Sequence, residues 1–386
     1  MTARLADVIA ALDAAYPRSL AEPWDTGIGL TCGDPEDAVQ RVLLAVDADP
    51  ATVAEAAEAG AQLLVTHHPL LFRPVQSVAA DTAKGSLLHP LIRSGIAHFA
   101  AHTNADRAPG GVNDALADAL GLTGVRPLLP APAPALDKIV VFVPAEHTDT
   151  LIAALADAGA GTIGDYAEAA FVSSGQGRFR PLAGANPAVG EVGRAERVDE
   201  TRIEMVMPPA RRDAVVAALR GAHPYEEPAF DVYRTEPVTQ PRAGLGRVGE
   251  LAEPMRLRAF LARVAAALPP TAAGVRAAGD PDRMIASVAV CGGAGGRELG
   301  AATASGADAY LTSDLSHHVV AEHVADPRRP AVLEVAHWAG EWPWLSRAAE
   351  VITRALGGSV AVTVSTRRTD PWTLHHPGPS SGDSTG

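Results

Sequence analysis

Apolar, strand-like runs in this chain stop abruptly at polar clusters, and helical periodicity fills the stretches between them. The clearest case is Leu63-Leu64-Val65-Thr66, which gives way to His67-His68-Pro69. Ile96–Ala101 ends in His102-Thr103-Asn104-Ala105-Asp106, Ala309–Thr312 in Ser313-Asp314, and Ala331–Val335 in Ala336-His337-Trp338-Ala339-Gly340-Glu341. Strands alternating with helices make an α/β protein with parallel pairing. Sheets of that kind bind ligands beyond the carboxyl ends of their strands. The imidazoles and carboxylates fall at those ends.

The alternation is interrupted once. In the first third, apolar positions at Leu5, Val8, Ile9 and Leu12 predict a helix over 2–18, followed by a strand at Val42–Val46 and a helix at 51–59. Leu87–Ser94 and Asp114–Leu120 are helical too. Pro127–Pro134 (PLLPAPAP) reads as a stiff linker. Beyond it, Lys138–Val143, Ala169–Ser173, Thr201–Val206 and Ala229–Tyr233 are strands, with helices at His147–Ala158 and Ala210–Arg220. That is βαβ followed by βαβ, the order of a ferredoxin-like α+β domain.

A second Pro/Gly-rich stretch, Glu236–Gly246, closes the insert, and the first pattern returns. Helices are expected at Met255–Leu268, Glu298–Ser305 and Trp344–Leu356, and a strand at Ile285–Cys291 runs into Gly292–Gly296. Val42–Asp47 corresponds to Ile285–Gly292, Val65–His68 to Leu311–Asp314, and Ala101–Asp106 to Ala336–Glu341. Two duplicated α/β lobes, 1–130 and 244–370, would therefore flank an insert at 135–238. A Pro/Gly/Ser-rich tail at 371–386 is expected to be disordered.

Composition excludes several function classes. The balance of 32 basic against 45 acidic side chains gives a net charge of −13, which disfavours nucleic acid and anionic membranes as partners. No apolar run approaches the roughly 20 residues needed to span a bilayer, and the first residues lack a signal-peptide core. Two cysteines supply neither a disulfide framework nor a thiolate zinc motif. A cytoplasmic protein is expected.

Consecutive side chains on a strand point to opposite faces, so His67 and His68 serve one site only where the strand ends, as Pro69 implies, or where each takes its own ion. Asp106 would reach the same crevice; its plainer role is a turn cap ahead of Pro109-Gly110-Gly111. His337 and Glu341, four apart, share a face if helical, with Glu341 as a cap the alternative. His102, Thr103 and Asn104 are candidates for holding the ligands in place. Asp314 and His318 are further pocket residues, His317 is read as solvated, and His223, His375 and His376 are set aside. The Gly292–Gly296 loop, as an anion cradle or a tight turn, is not a P-loop, because no Lys-Ser/Thr follows. The donor set His67, His68, Asp106, His337 and Glu341 has no thiolate and suits Zn, Mn, Fe or Co. Five ligands exceed what one tetrahedral ion needs and favour two divalent ions with positions left for water.

These four clusters, in this order, resemble the NIF3-like family, whose bacterial members are often called GTP cyclohydrolase 1 type 2 homologues. His223-Pro224-Tyr225-Glu226-Glu227-Pro228 with Ala229–Tyr233 resembles the PII/CutA-like domain inserted in its longer members. Two departures, Ser313 where glycine is usual and Trp338 where tyrosine or phenylalanine is common, remove no ligand. The resemblance implies a dinuclear centre at His67, His68, Asp106, His337 and Glu341, and a ring-shaped homohexamer. It also implies a metal-dependent hydrolase opening a purine-type ring in a nucleotide or related small molecule, with His318 or His102 moving protons. The alternative is a non-catalytic hexameric metal or ligand binder with a sensing insert.

Overall fold

The computed structural model describes residues 2–132, 135–236 and 239–376. The chain forms two compact units, one from Met1–Ala131 and Gln240–Gly386, the other from Pro132–Thr239. The N-terminal stretch contains α1 (Leu5–Ala15), β1 (Gly29–Cys32), β2 (Arg41–Ala45), α2 (Pro50–Glu58), β3 (Leu63–Thr66), α3 (Gly85–Arg93), β4 (Ala97–Ala100), α4 (Thr103–Arg107), α5 (Val112–Ala119) and β5 (Leu122–Pro132). The insert holds β6 (Asp137–Pro144), α6 (Thr148–Asp157), β7 (Ala170–Phe179), β8 (Glu196–Met207), α7 (Arg212–Ala222) and β9 (Phe230–Arg234). The chain then forms β10 (Thr239–Arg256), α8 (Leu257–Ala267), β11 (Val275–Ala278), β12 (Met284–Ala294), α9 (Leu299–Ala304) and β13 (Ala309–Ser313). It ends with α10 (His317–Val324), β14 (Ala331–Val335), α11 (His337–Glu341), α12 (Trp344–Ala355) and β15 (Ala361–Val364).

The first unit is mixed α/β with two sheets. One has the order β1-β4-β3-β2-β15, the other β11-β14-β13-β12-β10-β5. Within them β2-β3-β4 and β12-β13-β14 are parallel, and β1 and β11 run antiparallel beside β4 and β14. Register decides where the polar clusters emerge. Ala45, Thr66 and Ala100 lie abreast, so the segments carrying Asp47, His67-His68 and His102 leave the sheet along one edge. Thr312 is likewise abreast of Glu334, which brings out Asp314 and His337 together.

Sequence explains the local stops and starts. Asp49 caps α2 by accepting from the Thr52 N–H, and Pro50 occupies the first turn, where a missing N–H costs nothing. In α12, Trp344, Leu345, Ala348 and Ile352 recur at helical spacing and are buried against β2, β3 and α1. Helix α5 faces two ways: Val112 and Ala115 enter the core of the first sheet, Leu116 and Ala117 that of the second. Its buried Asn113 donates to the Asp106 carbonyl at 2.9 Å and accepts from the Gly292 N–H at 2.8 Å. The next residue, Asp114, receives a two-pronged contact from the buried Arg247, at 2.7 and 2.8 Å. Arg247 also donates to the carbonyls of Gly244, Gly246 and Ala108, so this buried cation is well supplied with acceptors.

The insert is a four-stranded antiparallel sheet of order β7-β8-β6-β9. Its inward side chains, among them Ile139, Val141, Ile203 and Met205, are buried with Leu151 and Leu155 of α6 and Val215 and Leu219 of α7.

Several expectations need correction. The stretch read as a linker is mostly strand, since β5 runs through Pro132; residues 133 and 134 lie outside those described. It tolerates prolines because β5 is an edge strand, where a missing N–H breaks no ladder bond on its open side. Much of the Glu236–Gly246 stretch likewise belongs to β10, with 237 and 238 outside the described residues, and the helix expected from Met255 begins at Leu257. Asp106 sits within α4 and not in a turn. Strand β15, which the sequence reading lacks, joins the first sheet beside β2. Of the tail, 371–376 is described and 377–386 lies outside the described residues. Among the described residues no helix is long and apolar enough to cross a membrane.

Two measurements test this account. Asn113→Ala leaves a buried carbonyl and a buried N–H unpaired, so a loss of about 2–4 kcal/mol in urea denaturation is expected; a loss below half of the lower figure would contradict the tie. His98, buried in β4, is pushed down to about 3 by desolvation, with Lys84 adding a little. Its Nε2–H donates to Thr66 Oγ1 at 2.9 Å, and Thr66 in turn donates to the His68 carbonyl at 2.6 Å. Below an unfolded pKa of about 6.5 only the unfolded chain binds this proton. The associated stability is therefore complete above about 6.5 and falls by about 1.4 kcal/mol per pH unit as pH drops toward the folded value. His98→Gln should flatten the fall in denaturation free energy between neutral pH and mild acid, and equal slopes in the two proteins would refute this origin.

Candidate metal centre

Four imidazoles converge beyond the strand ends, and each has its Nδ1 engaged by an oxygen. His67, fully buried, donates from Nδ1 to the Ala101 carbonyl at 2.9 Å. His68 Nδ1 meets Asp47 Oδ1 at 2.7 Å, His102 Nδ1 meets Asp25 Oδ2 at 3.0 Å, and His337 Nδ1 meets Asp314 Oδ2 at 2.6 Å. Engaging Nδ1 fixes the ring orientation and leaves Nε2 as the free coordinating atom, the arrangement in which protein-bound metals hold histidine.

Glu341 is where these atoms meet. Its side chain is 2 % exposed, with Oε1 3.3 Å from His67 Nε2 and 3.0 Å from His337 Nε2, and Oε2 3.1 Å from His68 Nε2. Asp106 Oδ1 lies 3.7 Å from His67 Nε2. Helix α11 explains the His337–Glu341 pair: four residues apart on a helix, they share a face, and Pro343 falls at the start of the next helix, where it does no harm. The consecutive His67 and His68 both reach the cluster because β3 ends at Thr66.

Charge follows from this packing. Burial favours neutral Glu341, but His68, His337 and His67 outweigh it and hold the carboxyl well below its ordinary range. Burial likewise opposes protonation of His68, yet Glu341 and Asp47 push it up to about 10. The Glu341 carboxylate, working against burial and helped by Asp314, pushes His337 up to about 11. Asp106 moves up because it is desolvated. Asp314 is held down first by its hydrogen bond to His337. Its backbone also has φ +56°, a left-handed conformation rare outside glycine and costly to hold, of the kind found at functional sites.

The residues fit divalent cations. His67 Nε2 and Asp106 Oδ1 are buried with no hydrogen-bond partner, a costly arrangement that an ion between such atoms relieves. Two groups have one donor atom per residue within 4.8 Å of each other: His67, His68 and His102, and His68, His337 and Glu341. Space is kept open by Gly293, at φ +71°, where a Cβ would stand 2.5 Å from Glu341 Oε1 and 3.2 Å from His337 Nε2. The glycine loop is tied down: the Gly292 N–H donates to Asn113, and the Gly293 carbonyl accepts from Thr312 Oγ1 at 3.0 Å.

The structure thus brings together His67, His68, His102, Asp106, Asp314, His337 and Glu341. It does not bring His318 to them. On α10, Val320, His323 and Val324 face inward, and His318, two residues before Val320, falls on the opposite, exposed face. Among the described residues it makes no hydrogen bond or ion pair with the cluster; its ring lies 5.3 Å from that of His317. Thr103 and Asn104 hold the first residues of α4: Thr103 Oγ1 donates to Asp25 at 2.6 Å, and Asn104 Nδ2 donates to the Tyr16 carbonyl at 2.7 Å. Sequence reasoning missed Asp25 and Asp47. Asp47 is the residue after the strand Val42–Val46, which was a usable signal, whereas Asp25 lies in a glycine-punctuated loop with nothing to mark it. His375, set aside as tail, lines the crevice beside His68 and His337.

Gly293→Ala tests the packing around Glu341. A side chain at positive φ costs about 1 kcal/mol, and the clash with Glu341 should reduce the metal retained per chain on elemental analysis. Unchanged metal content in a folded variant would show that the glycine is not needed there.

Residues 3–371 match the family described as Duf34/NIF3 (NGG1p interacting factor 3). A Mycobacterium tuberculosis protein named GTP cyclohydrolase 1 type 2 homolog is 53% identical over 377 residues, covering 97% of this chain and 98% of that one. A Bacillus cereus protein related to NIF3 has a crystal structure that superposes with a TM-score of 0.74 at 36% identity, covering 97% of this chain and 100% of that one. The Staphylococcus aureus protein SA1388 superposes at 0.79 with 27% identity, covering 97% of this chain and 99% of its own. The chain belongs to the Duf34/NIF3 family.

Proposed function

We propose that this chain is a dinuclear divalent-metal hydrolase acting on a nucleotide or a related nitrogen-rich small molecule. The observation that carries the reading is the set of Nδ1-anchored imidazoles turned toward the buried carboxylate of Glu341. His67, His68, Asp106, His337 and Glu341 would hold the ions, with Zn, Mn, Fe or Co all compatible with this nitrogen and oxygen set. When bound, such ions supply Lewis acidity toward water and toward the atom that leaves.

The chain's own residues supply the rest. Asp47 and Asp314 keep the His68 and His337 rings in their orientations. His102, held at Nδ1 by Asp25, has Nε2 available to accept or return a proton at the reacting centre. The buried walls around His67 and Glu341 exclude bulk water from that side. A GTP cyclohydrolase-like ring opening accords with the name carried by the mycobacterial relative. The matching four-strand runs β1-β4-β3-β2 and β11-β14-β13-β12 support duplicated lobes, and the β7-β8-β6-β9 order with two helices on one face supports a ferredoxin-like, PII/CutA-like insert. A homohexamer belongs to the same reading.

One observation favours the non-catalytic alternative, a metal or ligand binder with a sensing insert: the exposed His318 stands apart from the cluster that it was expected to serve. Elemental analysis and an untargeted nucleotide-consumption assay decide between them. The enzyme reading expects about two ions per chain, turnover of at least one nucleotide or phosphoester, and loss of about a hundredfold or more in His67→Ala or Glu341→Gln. Two bound ions without turnover in any metal form would leave the binder.

A further inference from the structure

A crevice of about 830 Å³ opens beside His68 and His337, and the segment after β15 contributes Thr369, Asp370, Pro371, Trp372 and His375 to its lining. That segment is fastened to the site, because Thr369 Oγ1 donates to Asp47, the residue that orients His68. Next along it, Asp370 is 5 % exposed, with an oxygen, Oδ2, that has no hydrogen-bond partner. Two residues on, Trp372 is 68 % exposed, a large aromatic surface at the crevice and not in a core.

Carboxylates outnumber the cations on this wall, and the raised imidazoles of His68 and His337 are each already paired with Glu341 and an aspartate. Asp47, Asp314, Glu334 and Asp370 all line the crevice. Among its described lining residues the sole guanidinium or ammonium is that of Arg276, which is already 2.7 Å from Glu334. Triphosphates are bound by convergent cations and backbone N–H groups, and these walls offer no unpaired arginine or lysine. A flat ring needs an aromatic face and an acceptor for its N–H edge; the exposed Trp372 offers the face, and the unpartnered Oδ2 of Asp370, buried in the free chain, offers the acceptor when that side chain turns to the crevice.

We propose that Trp372 and Asp370 form a subsite for an uncharged or cationic nitrogen heterocycle, a nucleobase or nucleoside and not a nucleoside triphosphate. The ring stacks on Trp372, and Asp370 accepts from its N–H edge. The proposal rests on the hydrolase reading for what happens next to the ring, and not for the binding itself.

Titration calorimetry on the full chain, both metal-stripped and zinc-loaded, with guanosine and GTP as probes, tests it. In the stripped protein guanosine should bind at least as tightly as GTP. Trp372→Ala should weaken guanosine about tenfold, the usual cost of a lost base–aromatic stack, while Trp372→Phe stays within about threefold. Asp370→Asn should weaken guanosine by about tenfold. Because Trp372 is exposed, its variants report even if Asp370→Asn misfolds. GTP binding tenfold tighter than guanosine in the stripped protein, an unaffected Trp372→Ala, or no guanosine binding at millimolar concentration would each overturn the proposal. Elemental analysis of the same samples separates the two readings: two ions per chain without guanosine binding sinks the subsite alone, and guanosine binding without ion uptake sinks the metal centre alone.

Discussion

A carboxylate removed from water is an expensive thing to keep charged, and the first unit is arranged so that Glu341 is kept charged. Its two oxygens lie within 3.3 Å of three imidazole nitrogens drawn from β3's end and from α11. Those imidazoles stay in place because other groups hold their far sides: the Ala101 carbonyl, Asp47 and Asp314. Removing one partner from such a set leaves a buried charge uncompensated, a larger penalty than the net value of the intact pair. The cluster is therefore a demand placed on the fold, met by elements that run from β2 to α11.

Asn113 and Arg247 show how the fold meets that demand. Asn113 fastens the Asp106 segment to the glycine loop at the end of β12, so the carboxylate from one sheet and the clearance beside Glu341 are set by one side chain. Arg247 fixes the neighbouring residue of the same helix. Helix α5 thus works as a spacer whose opposite faces belong to different cores. Preorganisation of this kind places donor atoms before any ligand arrives.

Much of this was legible in the sequence because strand ends are marked twice, by the loss of apolar residues and by the arrival of polar ones. His67, Asp106, His337 and Glu341 announce themselves in that way; the spacing of His337 and Glu341 left a shared helical face and a cap both open, and α11 puts them on one face. His318 misled because a histidine after a strand looks the same whether the helix turns it inward or outward, and one residue of phase decides the matter. Pro127–Pro132 misled because proline is a poor strand former in general and harmless at a sheet edge, a distinction that only the strand order in the sheet reveals. Asp25 was invisible for a different reason: its importance comes from what lies opposite it in space.

Strand β15 has a consequence for how the molecule is made. It lies beside β2, so more than three hundred residues separate two partners in one ladder. Until the last helix and this strand leave the ribosome, β2 is an open flank and the apolar surface destined for Trp344, Leu345 and Ile352 has no cover. A nascent chain of this kind holds a sticky, half-built sheet through most of its synthesis, and a copy that stops short of residue 361 would keep a bare β-edge able to recruit a neighbour.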